Sequence, residues 1–200
     1  MFPLGTVLFP HAFLPLHVFE PRYRALTREC LAGGREFGVV LIERGSEVGG
    51  GDVRLSVGTC ARIVEAAELS DGRWLLMVVG VERVGVERWL PDDPYPQAQV
   101  TVLPDVPAGA DAPQQRATVE RVLRQALALK AELGEPAAAA TLELDPDPAV
   151  AAYQAAALAP LGPLDSQRVL EQDGADDRLA LLASALTDEV RVLAQRASWG

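Results

Sequence analysis

The chain holds one lysine, Lys130, in the run Leu129-Lys130-Ala131. A phosphate-cradling loop G-x-x-x-x-G-K-[ST] needs a lysine directly after glycine at the mouth of a helix. No such lysine exists, and Lys130 falls inside a helical pattern, where a solvated surface position is its ordinary role. His11 and His17 are the two histidines. They lack both the H-x-x-x-H spacing of a helical zinc site and a third donor at recognisable spacing. Each therefore reads as structural, with His17 packed or hydrogen-bonded in a strand between Leu16 and Val18. Cys30 and Cys60 form no C-x-x-C pair and read as small buried hydrophobes. Asp92-Asp93, Asp145/Asp147 and Asp176-Asp177 are the acidic pairs that general acid–base work or a cation would use. Adjacent side chains on a helix or strand diverge, however, and these pairs fall in loops or at helix starts, where aspartate caps free N–H groups. No catalytic residue, metal site or cofactor is assigned.

The elements that would carry any site divide at mid-chain. Two apolar runs, Phe2 to Phe9 and Phe13 to Phe19, are punctuated by Pro3, Pro10 and Pro15. Proline removes a ladder donor, so these strands belong at edges, starts or bulges. Glu20-Pro21 then opens a helix, because the missing proline N–H would be unpaired in a first turn anyway. Glu20 can cap this helix while Arg22 or Arg24 neutralises it. Residues 37–103 are rich in Val, Leu, Ile and Trp and are broken by Gly, Asp or Pro, the mark of an all-β unit. Within it, Trp74 to Val79 is apolar on both faces, which predicts a central strand. Ser70-Asp71-Gly72 predicts a hairpin turn, and Gly45 to Asp52, with Gly49-Gly50-Gly51, a flexible surface loop. Pro104 to Pro113 reads as a linker. Helical spacing follows: Val119 to Lys130 ending at Gly134, a helix from Asp147-Pro148, short signals around Gln167–Glu171, and a last helix over about Ala175 to Ala197. The expected domains are 1–105, β-rich, and 114–200, α-helical.

Charge narrows the partners. The net charge is −10, with ten basic against fourteen acidic residues over 1–105 and eight against fourteen over 106–200. Nucleic-acid affinity rests on neutralised phosphates, so an acidic chain without a basic block is a poor candidate. No apolar stretch approaches the ~20 residues that span a bilayer, so no membrane partner is expected. The start lacks the basic leader and long apolar core of a signal peptide, and two cysteines make no disulfide framework, so the expected location is cytoplasmic. Apolar surface remains. Phe9, Pro10, Ala12, Phe13 and Leu14 form one proline-stiffened connection, and Trp89, Leu90, Pro91, Tyr95 and Pro96 another. Such segments either plug the ends of the β unit or form exposed docking patches. In the second case Phe9, Phe13, Leu14, Trp89 and Tyr95 are the polypeptide-binding candidates.

The ordered string FPLGTVLFP…LPLHVFEPRYR over residues 2–24 resembles the opening of the Lon protease amino-terminal, substrate-binding domain family. Phe37 to Ile42, Val57-Gly58-Thr59-Cys60-Ala61-Arg62-Ile63, Asp71-Gly72-Arg73 and Gly80 to Val84 are similar to later strands and a turn of that family. Pro94-Tyr95, a final strand Ala98 to Leu103, and Gln167 to Glu171 with Arg178-Leu179 extend the likeness. Glu20, Pro21, Arg22 and Tyr23 are its densest structural motif. His11 departs from it, standing where the family often has glycine after the second Phe-Pro. The first strand also opens almost at Met1, which leaves open a start farther upstream. The resemblance implies an α+β fold, a PUA-like β pseudobarrel followed by an α-helical carboxyl-terminal bundle. It implies a non-catalytic module that binds unfolded or specific polypeptides, with an adaptor role in proteolysis or protein quality control as its extension. Lon peptidases use a lysine-activated serine, and Lys130 stands in the part that resembles the binding domain.

Two other classes stand beside this reading. An RNA-binding PUA-like protein would need Arg22, Arg24, Arg28, Arg35, Arg44, Arg54 and Arg62 clustered rather than interleaved with Glu20, Glu29, Glu36, Glu43 and Glu47. A small-molecule enzyme would need a deep pocket with converging polar groups. The single lysine yields a direct expectation: the protein neither releases phosphate from ATP nor cleaves labelled casein. Turnover of either substrate that Lys130→Ala abolishes would overturn it.

Overall fold

Prolines decide where the first strands can lie. The computed structural model describes residues 1–47 and 51–198. Strand β1 (Phe2–Leu4), which carries Pro3, pairs in parallel with β3 (Glu36–Arg44) alone. Strand β2 (Phe13–Val18), which carries Pro15, pairs antiparallel with the first part of β5 (Trp74–Leu90). Both are edges, where a missing N–H costs no ladder bond. The run Phe2–Phe9 is strand only as far as Leu4, because the chain bends at Gly5-Thr6. Leu8 and Phe9 turn into the interior instead, 3% and 2% exposed. At Pro10 the backbone bridges Gly80, where an added Cβ would stand 2.2 Å from the Phe9 carbonyl oxygen. His11 N–H donates to Gly80 O at 2.8 Å, and Gly80 N–H donates to Ala12 O at 2.9 Å. His11 holds φ 64°, the left-handed region. That geometry explains why glycine suits this position and why histidine, one of the more tolerant L-residues there, can replace it.

Helix α1 (Pro21–Ala32) starts at proline as expected. Glu20 makes no side-chain cap bond. Its carboxylate instead accepts from Arg22 Nε at 3.1 Å, so the expected cap is an ion pair only. The buried face of α1, Tyr23, Leu26 and Cys30, joins one core with Phe2, Phe37, Val39, Ile63, Leu76 and Val78. Strand β4 (Val53–Glu68) pairs antiparallel with β3 on one side and β5 on the other. Strand β6 (Gln97–Val102) pairs with the second part of β5. The sheet runs β1-β3-β4-β5-β2 with β6 added to β5. It is mixed and open, and with the carboxyl-terminal helices it makes the fold α+β.

The β4–β5 turn is the expected hairpin: Gly72 holds φ 77°, and Leu69 N–H donates to Arg73 O at 2.8 Å. In the Gly45–Asp52 loop, Gly45 and Gly51 hold positive φ, while Gly49 and Gly50 lie outside the described residues. Trp74 to Val79 lies in the interior of the sheet, as its composition predicts. The inference that both its faces are covered does not hold, however, since Leu76 and Val78 are buried while Leu75 is 48% exposed.

The chain divides into two compact units, Met1–Pro104 and Asp105–Gly200. The Pro104–Pro113 stretch is exposed but is not a free connector. Val106 N–H donates to Asp173 O and Gly109 N–H to an Asp176 carboxylate oxygen, both at 2.8 Å. Its last residues open helix α2 (Ala112–Glu132), whose buried face is Val119, Val122, Leu123, Ala126 and Leu127. Gly134, with φ 72°, ends this segment. Helix α3 (Pro148–Leu158) is capped by Asp147, which accepts from Ala149 N–H at 2.9 Å. Its Ala151, Ala152, Ala155 and Ala156 are buried, so the alanine-rich sequence serves close packing. Helices α4 (Pro163–Leu170) and α5 (Ala175–Ala197) complete the unit, α5 burying Leu179, Leu182, Leu186 and Leu193. Among the described residues no helix is long and apolar enough to cross a membrane.

Arg178 on α5 is fully buried. Its Nη2 donates to Asp105 Oδ1 at 2.9 Å and to Gln172 O at 2.8 Å, and its guanidinium lies 4.1 Å over the Tyr153 ring. Tyr153 OH donates to the same Asp105 carboxylate at 2.9 Å. Removing one partner of a buried pair strands the other charge, at about 3–5 kcal/mol. Asp105→Ala should therefore lower the stability of the helical unit by about 3 kcal/mol or more in urea unfolding followed by far-ultraviolet circular dichroism. A change under ~0.5 kcal/mol would mean that Arg178 has other compensation.

Candidate functional site

Alternation in a strand sends successive side chains to opposite faces. On β2, Leu14, Leu16 and Val18 point to the core, which leaves Phe13, Pro15 and His17 outward. The register sets Phe13 opposite Val79, Pro15 opposite Met77 and His17 opposite Leu75. On the far side of β5, Met77 faces Glu65 and Leu75 faces Ala67 of β4, beside an irregularity at Val64. The result is an outer face on three strands in which apolar Phe13, Pro15, Leu75, Met77 and Val79 are bordered by His17, Glu65 and Arg62. Phe13 is 67% exposed, Phe19 49% and Val64 42%. Isolated exposed apolar residues need no explanation, but a contiguous group of them marks an interaction surface.

Two hollows flank the free edge of β2. One, of about 480 Å³, lies between Pro15, His17, Leu75, Met77 and Glu65–Ala67. The other, of about 260 Å³, is lined by Phe2, Leu4, Leu14, Leu16 and Tyr23 and by Glu20 and Glu47. Pro15, Leu16 and His17 border both, so this stretch is a ridge between them. The Glu20-Pro21-Arg22-Tyr23 motif builds the wall of the smaller hollow. Tyr23 stacks on Phe2 with centroids 4.2 Å apart, and the Arg22 guanidinium covers its other side at 4.5 Å. Burial pushes the Tyr23 hydroxyl up to about 12, so it stays protonated through the physiological range.

The structure sorts the five apolar candidates. Phe13 is exposed and Leu14 is partly buried against the core at the head of the ridge. Phe9 is buried, because the close Pro10–Gly80 crossing draws it inside; it is a core residue and offers no surface. Tyr95 is buried as well, and its hydroxyl donates to the Glu29 carboxylate, so it anchors the β5–β6 connection to α1. Trp89 is half-buried, with the Arg54 guanidinium 4.7 Å over its ring. Burial pushes the neighbouring Asp52 carboxyl up, but its hydrogen bonds from Arg54 outweigh this and hold it below its ordinary value. Trp89 stands ten residues beyond Val79 on β5, roughly 33 Å along a strand, so it does not share the ridge. His17, expected to be packed, is exposed on the ridge. Sequence reasoning missed Pro15, Phe19, Val64, Leu75 and Met77. The signal was there in the two-faced apolarity of Trp74–Val79, which was read as burial.

No constellation for bond-making chemistry gathers at this site. Among the described residues no three His, Cys, Asp or Glu side chains are placed to hold a metal ion. What the ridge can do is remove apolar groups of a partner from water.

Comparison with known proteins fixes the family. Residues 1–188 match the ATP-dependent protease La (LON) substrate-binding domain. The chain belongs to that family. It is 29% identical over 193 residues to Lon protease 2 of Herpetosiphon aurantiacus, covering 95% of this chain and 23% of that protein. With the Lon protease of Cytophaga hutchinsonii it shares 27% over 195 residues, 94% of this chain and 24% of that protein. The chain thus spans about a quarter of the length of these Lon proteases. A crystal structure of a Lon N-terminal domain protein from Xanthomonas campestris superposes with a TM-score of 0.67 at 28% identity, covering 92% of this chain and 95% of that one. The N-terminal domain of a Mycobacterium avium complex Lon protease has the same fold, with a TM-score of 0.66 at 18% identity over 93% of this chain and 97% of that one.

In this Lon substrate-binding-type domain neither thiol is poised for reaction. Burial pushes the Cys60 thiol from 9.0 up to about 11, and burial raises Cys30 as well. Below both values the thiolate fraction falls tenfold per unit, so at pH 8 Cys60 thiolate is about a hundredfold scarcer than in an unfolded chain. Ellman's reagent should label both thiols more slowly in the native than in the urea-unfolded protein, and Cys60, read site by site from peptide mass spectra, about a hundredfold more slowly. Equal rates would contradict the burial.

Proposed function

We propose that this chain is a non-catalytic polypeptide-recognition module that holds exposed apolar segments of unfolded proteins on the β2 ridge and its two hollows. One observation carries the reading: apolar Phe13, Pro15 and Leu75 are exposed on the outward side of β2 and β5, beside His17 and Glu65. Apolar area removed from water contributes about 25 cal/mol per Å², and the affinity is what remains of that after the cost of association. Pro15 stiffens the ridge and lowers the ordering cost on binding. Membership of the substrate-binding family supports the same reading, and an adaptor role in proteolysis or quality control is its natural extension. Glu20, Glu47 and Glu65 border the hollows, so neutral or basic segments are favoured over acidic ones.

The arginines of the β unit argue against RNA. Four of the seven, Arg22, Arg28, Arg54 and Arg62, pair with Glu20, Glu68, Asp52 and Glu36, and this interleaving of acid with base weakens the case for a phosphate track.

Reduced, carbamidomethylated lysozyme is a suitable unfolded, basic probe. Phe13→Asp and Leu75→Asp should each weaken its binding about tenfold or more. Both positions are exposed, so stability should change by under ~1 kcal/mol. Affinity should fall only modestly between low and moderate salt. Unchanged probe binding in both variants, or tight salt-sensitive binding of single-stranded RNA in place of the probe, would sink the reading.

A further inference from the structure

Strand β5 presents two different surfaces along one side. Residues Trp74–Val79 pair with β2, and Val84–Leu90 pair with β6. The outer side of β6 has no strand partner among the described residues. Natural sheets blunt such edges with proline, charge or brevity. The other two edges follow that rule: β1 is three residues long and carries Pro3, and β2 carries Pro15. Strand β6, Gln97-Ala98-Gln99-Val100-Thr101-Val102, has no proline and no charge, and its last four residues are exposed.

Register identifies the unused groups. Leu103 N–H donates to Arg83 O at 3.0 Å, which makes that pair hydrogen-bonded, and the ladder continues with Thr101 opposite Gly85. Hydrogen-bonded and non-hydrogen-bonded pairs alternate along an antiparallel ladder. Ala98, Val100 and Val102 therefore turn their N–H and C=O groups away from β5, toward the open edge. We infer that the β6 edge is a main-chain docking site that takes an extended, uncharged-to-basic polypeptide segment as an added strand. Strand addition draws its affinity from backbone hydrogen bonds and is tolerant of side-chain sequence. Glu87 and Asp93 are exposed on and next to the β5–β6 hairpin with Arg88, while Asp92 is paired with Arg54 at 3.7 Å, so the remaining acid favours basic residues flanking the docked segment. A second copy would bring another body of net charge −10 to the same edge. This site is separate from the apolar ridge and does not depend on it.

The test uses amide hydrogen exchange by NMR on the full chain. The probe is the capped peptide Lys-Val-Thr-Val-Gln-Val-Thr-Lys, beside a peptide of identical side chains whose interior amides are all N-methylated. The first peptide should slow exchange at Ala98, Val100 and Val102 about tenfold or more at saturation, and the methylated one should leave it unchanged. Leu75→Asp should retain that protection, so failure at the ridge and failure at the edge are read separately. The proposal is overturned if those three amides are not slowed, if the methylated peptide slows them equally, or if Leu75→Asp abolishes the effect. It is overturned too if protection appears without peptide and grows with protein concentration, which would give the edge to a second copy.

Discussion

The crossing of the Phe9–Pro10 backbone over Gly80 is the contact on which the β unit depends. A side chain at position 80 would meet the Phe9 carbonyl at 2.2 Å, so only glycine lets the two backbones approach this closely. The crossing divides β5 into a half that pairs with β2 and a half that pairs with β6. It also draws Phe9 into the core and forces His11 into the left-handed region. Fixing β2 at that point sets its register on β5, and register decides which residues face outward. A slip of one residue would exchange Phe13, Pro15 and His17 for Leu14, Leu16 and Val18 and take the ridge apart. Thr59 reinforces the crossing from beneath, its hydroxyl donating to Leu8 O at 2.5 Å.

The starts of α1, α3 and α5 were legible from the sequence, whereas α2 begins seven residues before Val119 and α4 four before Gln167, and faces of strands were not legible. Helix α1 begins at Pro21 and α5 runs from Ala175 to Ala197 because a first-turn proline and an apolar stripe are local signals that the chain itself satisfies. Strand exposure is different. Period-2 alternation says which residues share a face, but what covers that face is settled by pairing between distant segments. Phe9 and Phe13 lie four residues apart in one proline-rich connection, yet one is core and the other is 67% exposed. Tyr95 is buried through a bond to Glu29, sixty-six residues earlier, which no local pattern announces. The two-faced apolarity of Trp74–Val79 was the clearest pointer to the site, and its second face was taken for interior. Pro104–Pro113 shows the same limit, since its composition announced a loop while its hydrogen bonds to Asp173 and Asp176 tie it to the helical unit.

Within each unit polar groups are handled in opposite ways. The helical unit buries a charge, Arg178, and surrounds it with Asp105, Gln172 O and the Tyr153 ring. Such a cluster holds one arrangement and makes replacement of any member costly. In the β unit Arg28, Arg62 and Arg73 are half-exposed and paired with nearby acids, where each pair is worth little to stability. Their effect is on the local field rather than the fold, because each acid offsets the charge of its arginine.

An exposed apolar face is a liability as well as a binding surface, since it invites copies of the chain to stick to one another. Two features oppose that outcome here. The net charge of −10 acts between whole molecules, and at physiological salt its reach is ~8 Å, enough to penalise close contact of like bodies. Pro15 acts at the ridge itself, because a strand without its N–H cannot seed a continuous ladder from that edge. The ridge is thereby limited to side-chain recognition, where an apolar group is seated in a hollow while its backbone stays solvated. On the other half of β5 the situation is reversed: β6 offers backbone groups and few apolar side chains beyond Val100 and Val102. On the two proposals, one long strand would separate two kinds of recognition in space, by side chain and by main chain. An unfolded segment long enough to reach from one half of β5 to the other could use both, gaining affinity from effective concentration without any new contact.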